Sequence, residues 1–524
     1  MQKILIKIMV AIFAIIPFLS FSQNNEVSER IIAIAKTDNQ TMKHLDVLCN
    51  RFGGRPIGSN AYDNAFDWAK MKFEEWGLKV IVDTVGYLPV GFNRGPWFGK
   101  MLGEEGMTLH FATPSYTSGT KGKQIGHVVI EPQNQAEFDR MKGKLKGAWV
   151  LIDGESKGWP IDFSENADKY RDSIKQVNAE IELKNREIRR QNWQNRKGEQ
   201  KELLPMVEEP ALFYKEMREA GILGIIQSAP VPITALYDRK NLMDLKFETL
   251  PETPDIKLDE HQYKKIRQLV KERRDVFLEF DIRNHFRLGP VPYCNLIGVI
   301  EGTELPDEYV IMSGHLDSYD VATGGVDDGS GVTPVMEAAR LIMKAEGKPK
   351  RTILAILWTG EEFGLLGSQS WVDRNGDKLK KISNVFNRDG GPLASAGISV
   401  PSSMIEDMKV ICAPLDNFNA EIKFEIEKRE PMKRPKEAWG SDSGPFAVAG
   451  VPVISLNDKD VFGYDFQYRE IWHTERDLYN KSIPVYQEYS AVAMAVVVFG
   501  VANMNYLIPV NEFYLPTSSN NNKK

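Results

Sequence analysis

Three apolar runs, 309–313, 352–358 and 382–386, each end in a short motif that joins glycine to an acidic residue. The motifs are Gly314-His315-Leu316-Asp317, Thr359-Gly360-Glu361-Glu362 and Asn387-Arg388-Asp389-Gly390-Gly391. Strands that read as continuous hydrophobic runs, without alternation, are covered on both faces and belong to parallel sheets. Between the first two runs, Val332, Val335, Met336, Ala339, Ile342 and Met343 repeat at helical spacing, and 485–503 reads as a long helix. The pattern predicts an α/β fold, a mixed and mostly parallel sheet with helices on both faces. Ligands of such sheets bind at the carboxyl edges of the strands, which puts all three motifs on one rim.

The residue types on that rim suit metal chemistry. His315 and Asp317 are two apart in extended backbone and face the same way. The Asp317 carboxylate is therefore expected to take the second imidazole N–H and fix the tautomer. Asp327-Asp328-Gly329-Ser330-Gly331 opens the following helix. Adjacent carboxylates favour a helix N-terminus without any metal, and they also suit a site where a cation neutralises them. Glu361 and Glu362 point in different directions at a strand end, so one can bind metal while the other faces a substrate water. Asp389 follows the third run, although Asp-Gly is more often just a turn. His473 lies late in the chain, in Trp472-His473-Thr474-Glu475-Arg476-Asp477. Of the seven histidines, His44, His110, His127, His261 and His285 lack acidic partners arranged at strand ends and read as structural.

The order H-x-D, D-D-G-S-G, E-E, D-G, H-x-x-x-D resembles the co-catalytic zinc exopeptidases, the family of bacterial aminopeptidases, carboxypeptidase Q and glutamate carboxypeptidase II. The likeness extends over 40–120 and 285–505 and includes Arg55-Pro56-Ile57-Gly58-Ser59. It implies a phosphorylase/hydrolase-like fold holding two zinc ions, although other divalent transition metals suit the same donors. By resemblance, Asp327 bridges the ions, His315 and Asp389 hold one, Glu362 and His473 hold the other, and Glu361 is the general base. The resemblance also implies a cis peptide between Asp327 and Asp328. Several relatives carry a tyrosine before the last histidine to help hold the oxyanion; here that position is Trp472. Gly440-Ser441-Asp442-Ser443-Gly444-Pro445-Phe446 resembles a family segment near the substrate pocket and reads equally as a structural loop.

Lys3 and Lys7, an apolar run over 8–19 and Ser20-Phe21-Ser22 make 1–22 a signal peptide. Peptidase segments over 23–120 and 257–515 then flank an inserted domain, 121–256, and residues 516–524 form a disordered tail. The insert reads as small and β-rich, and its 143–152 and 220–226 segments resemble a protease-associated domain. Within it, 168–200 reads as a helical arm with a narrow heptad seam of Tyr170, Ile174, Val177, Ile181 and Ile188, resting on its own domain. No later apolar run is long enough to span a bilayer, so no membrane span is expected in the mature protein. The net charge of -6, with signs mixed, gives no footprint for nucleic acid, and three scattered cysteines make no disulfide framework. The expectation is a secreted or periplasmic metallo-exopeptidase, an aminopeptidase or dipeptidase acting on peptides or dipeptides. A homodimer is compatible with this reading. Two other readings of the scaffold are a one-metal, glutaminyl cyclase-like acyl transferase and a catalytically inactive binding module.

Overall fold

The computed structural model describes residues 25–238, 242–438 and 440–516. The signal peptide read at 1–22 and all but Pro516 of the tail lie outside them. The chain divides into two compact units, one of Met1–Leu88, Pro290–Trp472 and Arg476–Lys524, the other of Pro89–Gly289 and His473–Glu475.

The first unit is built on a five-stranded sheet in the order Lys79–Asn93, His285–Ile300, Arg351–Trp358, Leu305–His315, Ile382–Asn387. The last three are mutually parallel, and His285–Ile300 runs antiparallel to Arg351–Trp358. Arg351–Trp358 is buried along its whole length, as its unbroken apolar sequence requires. Its Leu354, Ile356 and Trp358 pack with Trp371 and Phe446, from the helices Leu366–Arg374 and Ser443–Ala449. By strand alternation Ile353, Ala355 and Leu357 face the opposite side. The helices Gly329–Lys344 and Pro484–Ala502 pack against each other and against the sheet. The apolar run 451–456 makes a single parallel bridge, Val385 to Val453, before Leu456–Lys459 joins a separate three-stranded sheet.

Pro484–Ala502 corrects one expectation, because among the described residues it is one helix with the length and apolarity of a membrane span. It is buried almost throughout the first unit. A helix apolar on every side is what a core position selects.

The second unit has an eight-stranded sheet that takes in Trp97–Met101 and Phe277–Ile282, both outside the 121–256 segment. Its centre is parallel, through Gln124–Ile130, Ala148–Glu155, Gly224–Ala229 and Asp255–Asp259. One core cluster includes Tyr263, Ile266 and Leu269 of the helix Glu260–Lys271, and the other includes Phe138 of Gln135–Leu145 and Met217 of Tyr214–Glu219. The unit is thus α/β rather than simply β-rich.

The arm is the helix Glu165–Gln194. Of the expected seam Ile174 is buried while Tyr170 and Val177 are exposed, and the buried stripe also carries Arg171, Asn178 and Asn185. Asn178, Asn185 and Asn192 each exchange two hydrogen bonds, at 2.7–2.9 Å, with the backbone of Val207, Leu204 and Lys201. Two helical heptads rise about 21 Å and six extended residues cover about 20 Å, so a heptad ladder of amides can grip every third residue of a returning strand.

Candidate metal centre

Strand register assembles the site. His315 is the last residue of its strand and pairs with Trp358, while Ser313 pairs with Asn387. Glu361, Glu362 and Asp389 therefore leave the sheet at the level of His315. Asp327 and Asp328 lie just before the helix Gly329–Lys344, joined by a cis peptide. The loop leading to them is pinned from two directions. Arg55, fully buried, donates to the carbonyl oxygens of Leu316, Thr323 and Gly324 at 2.9, 2.8 and 3.3 Å. Asp477 accepts from the backbone N–H groups of Val326 and Asp327 at 2.6 and 3.3 Å. Burial, and then Asp327, push the Asp477 carboxyl up to about 8.

His315, Asp327 and Glu362 form one group of donors close enough to share a cation, and His315, Asp328 and Asp389 form another. His315 Nε2 lies 3.2 Å from Asp327 Oδ1 and 3.8 Å from Asp389 Oδ1. Its other nitrogen, Nδ1, donates to the backbone carbonyl oxygen of Asp317 at 2.9 Å. In the neutral imidazole that bond makes Nε2 the lone-pair nitrogen, and Nε2 is buried and makes no hydrogen bond. The Asp317 carboxylate does something other than expected. It lies 3.9 Å from Nδ1 and accepts instead from the N–H groups of Glu361 and Glu362, at 3.2 and 3.3 Å. The carbonyl oxygen meets the imidazole first, so the carboxylate is left to hold the Glu361-Glu362 turn. Asp328 Oδ2 is similarly committed, accepting from the His315 N–H at 3.0 Å.

Burial disfavours a positive charge on His315, yet Asp328, Asp327 and Asp389 outweigh it and raise its proton affinity well above the usual histidine range. Burial, with Glu362, Asp389 and Asp442 adding to it, pushes the Glu361 carboxyl up to about 11. Among the described residues, neither Asp328 nor Asp389 is paired with a lysine or arginine. Crowded buried carboxylates facing an imidazole lone pair call for a cation, and an imidazole with carboxylates fits a divalent transition metal.

The structure brings His315, Asp327, Glu362 and Asp389 together and sets Glu361 beside them. His473 lies with Thr474 and Glu475 in the second unit, at a left-handed φ of 58°. There Glu475 accepts from His110 Nε2 at 2.7 Å and from the Ile233 N–H at 3.2 Å, while His110 Nδ1 faces Asp259 Oδ2 at 3.2 Å. His110 thus has two acidic partners, one of them closing the Asp255–Asp259 strand. Burial opposes its protonation, but Glu475 and Asp259 raise its pKa above the ordinary value.

Sequence reasoning missed Tyr468. Its ring packs on Gly391, where an added Cβ would stand 3.2 Å from Cδ2. Burial, then Asp327, Asp389, Asp328 and Glu362, hold its hydroxyl protonated far above the normal tyrosine range. The only signal was a tyrosine four residues before Trp472, in a single helical turn that has no periodicity.

Residues 295–497 match peptidase family M28. Carboxypeptidase Q of Rattus norvegicus is 31% identical over 233 residues, which is 43% of this chain and 46% of that protein. The chain thus spans less than half the length of the curated relatives it matches. Among solved structures, a peptidase M28 precursor from Shewanella amazonensis superposes with a TM-score of 0.56 at 19% identity, covering 93% of this chain and 99% of the other. A zinc aminopeptidase from Bacillus subtilis gives 0.50 at 16% identity, covering 91% and 97%. These two likenesses concern the fold.

Proposed function

We propose that this chain, which matches peptidase family M28 over residues 295–497, is an exported zinc-dependent exopeptidase that removes residues from free-amine peptides or dipeptides. The observation that carries the reading is the convergence of His315, Asp327, Glu362 and Asp389 on one buried rim of the sheet. Those four residues would hold two zinc ions. Bound zinc supplies a Lewis acid for the scissile carbonyl and lowers the pKa of water toward about 7.

Burial and the neighbouring acids hold the Glu361 carboxyl protonated until cations offset their charge; with zinc bound, Glu361 would take the proton from the attacking water and return it to the leaving amine, work usually worth roughly 10²–10⁴-fold. Asp317 holds Glu361 and Glu362 in their divergent directions through the two N–H bonds it accepts. Tyr468 O–H, kept protonated by burial and by the acids around it, would donate to the carbonyl oxygen as charge develops there. The test is a panel of aminoacyl reporters, dipeptides and amine-blocked peptides, with and without chelator. Cleavage confined to free-amine substrates, lost to chelator and restored by zinc, supports the reading. Cleavage of blocked peptides, or indifference to chelator, contradicts it.

A further inference from the structure

Beside the ligand cluster lies a cavity of about 390 Å³, lined at one end by Asn387 and Asp389 and elsewhere by Arg429 and Tyr514. Arg429 is the one basic residue among those that line it. Its position is fixed from several sides. The guanidinium carbon lies 4.5 Å from the centre of the Phe513 ring, Nη1 donates to the Val453 carbonyl oxygen at 3.0 Å, and the backbone N–H donates to Val400 at 2.9 Å. Nearby acids are turned elsewhere. Glu430 pairs with Lys428 at 2.5 Å, Glu425 pairs with Lys459, and Glu427 accepts from Ser399 at 3.3 Å. No carboxylate among the described residues forms an ion pair with Arg429, and burial accordingly lowers its hold on its proton.

A half-buried guanidinium that spends one N–H on the protein keeps most of its planar fork for a ligand. A carboxylate matches that fork with two parallel charge-assisted bonds. Glu437, exposed on the same lining, sets the opposite sign at the rim and leaves Arg429 as the attractive point inside.

We propose that Arg429 receives a carboxylate of the substrate, so that the cavity selects peptides bearing an acidic group there. The inference rests on the exopeptidase reading for the word substrate and on the cavity alone for the carboxylate. The carboxylate can come from an acidic side chain or from a free C-terminus, and the test separates the two sources.

The experiment uses the full metal-loaded chain carrying Glu361→Gln, titrated calorimetrically with dipeptides in two matched sets. One set exchanges Glu for Gln at either position, and the other exchanges a free C-terminus for its amide. The carboxylate member of one pair should bind roughly 10–100-fold more tightly, and adding Arg429→Gln should erase that difference. Arg429→Lys should restore part of it, which separates a lost charge from a lost fold. A difference in the Glu/Gln pair assigns the side chain, and a difference in the acid/amide pair assigns the C-terminus. Equal affinities within both pairs, no binding of any member, or a preference that survives Arg429→Gln overturns the proposal. If the native chain cleaves no peptide while the Arg429-dependent preference persists, the exopeptidase reading fails and the carboxylate site stands.

Discussion

His315 has Nε2 as the nitrogen available to a cation because its opposite nitrogen, Nδ1, donates to the backbone carbonyl oxygen of Asp317. The H-x-D spacing was legible as a same-side pair. Which oxygen of Asp317 would meet the ring was not, because side-chain alternation does not specify the backbone path beyond the strand. Tyr468 was not legible either, since one turn in a loop carries no period that marks what it faces. Tyr468→Phe removes the proposed donor and little else. We expect kcat to fall roughly 10²–10³-fold with KM and metal content near normal. Steady-state kinetics with metal analysis checks this, and unchanged kcat would remove Tyr468 from the mechanism.

At the scale of elements, the three strands that end in the motifs were the most legible part of the chain. Each is an apolar run with an abrupt acidic end, and burial on both faces leaves few other ways to pack it. The arm is the helix Glu165–Gln194, and of its expected seam Ile174 is buried while Tyr170 and Val177 are not. Tyr170 and Val177 fit a heptad by hydrophobicity, whereas the stripe actually covered uses Asn178, Asn185 and Asn192, whose amides meet backbone groups that leucine could not satisfy. Asn185→Ala deletes two bonds, each worth about 1 kcal/mol, from the middle of that ladder. Limited proteolysis should then cut within 200–208 several-fold faster while the circular dichroism of the chain barely changes. Equal cleavage rates would mean that the strand is held by other contacts.

For the whole molecule, the limits of the two units were not legible in the sequence. The strands Trp97–Met101 and Phe277–Ile282 join the second sheet by pairing with segments distant in sequence, which local pattern cannot reveal. The second unit also gives stability a dependence on pH. Glu131 is buried, accepts from the Asp153 N–H at 2.7 Å, and is pushed up to about 8, chiefly by burial. The unfolded chain releases this proton near pH 4.3, roughly, so between there and about pH 8 the native state binds more protons and stability falls as pH rises. Thermal unfolding from pH 5 to 8 should show Glu131→Gln gaining on the native chain with each step. A constant difference would place the proton elsewhere.

The most direct measurement of the account as a whole combines metal content and turnover for Glu361→Gln, made on the same preparation and compared with the unsubstituted chain. Zinc stoichiometry should stay near that of the unsubstituted chain while hydrolysis of free-amine dipeptides falls roughly 10²–10⁴-fold. Turnover retained at full zinc occupancy would contradict it.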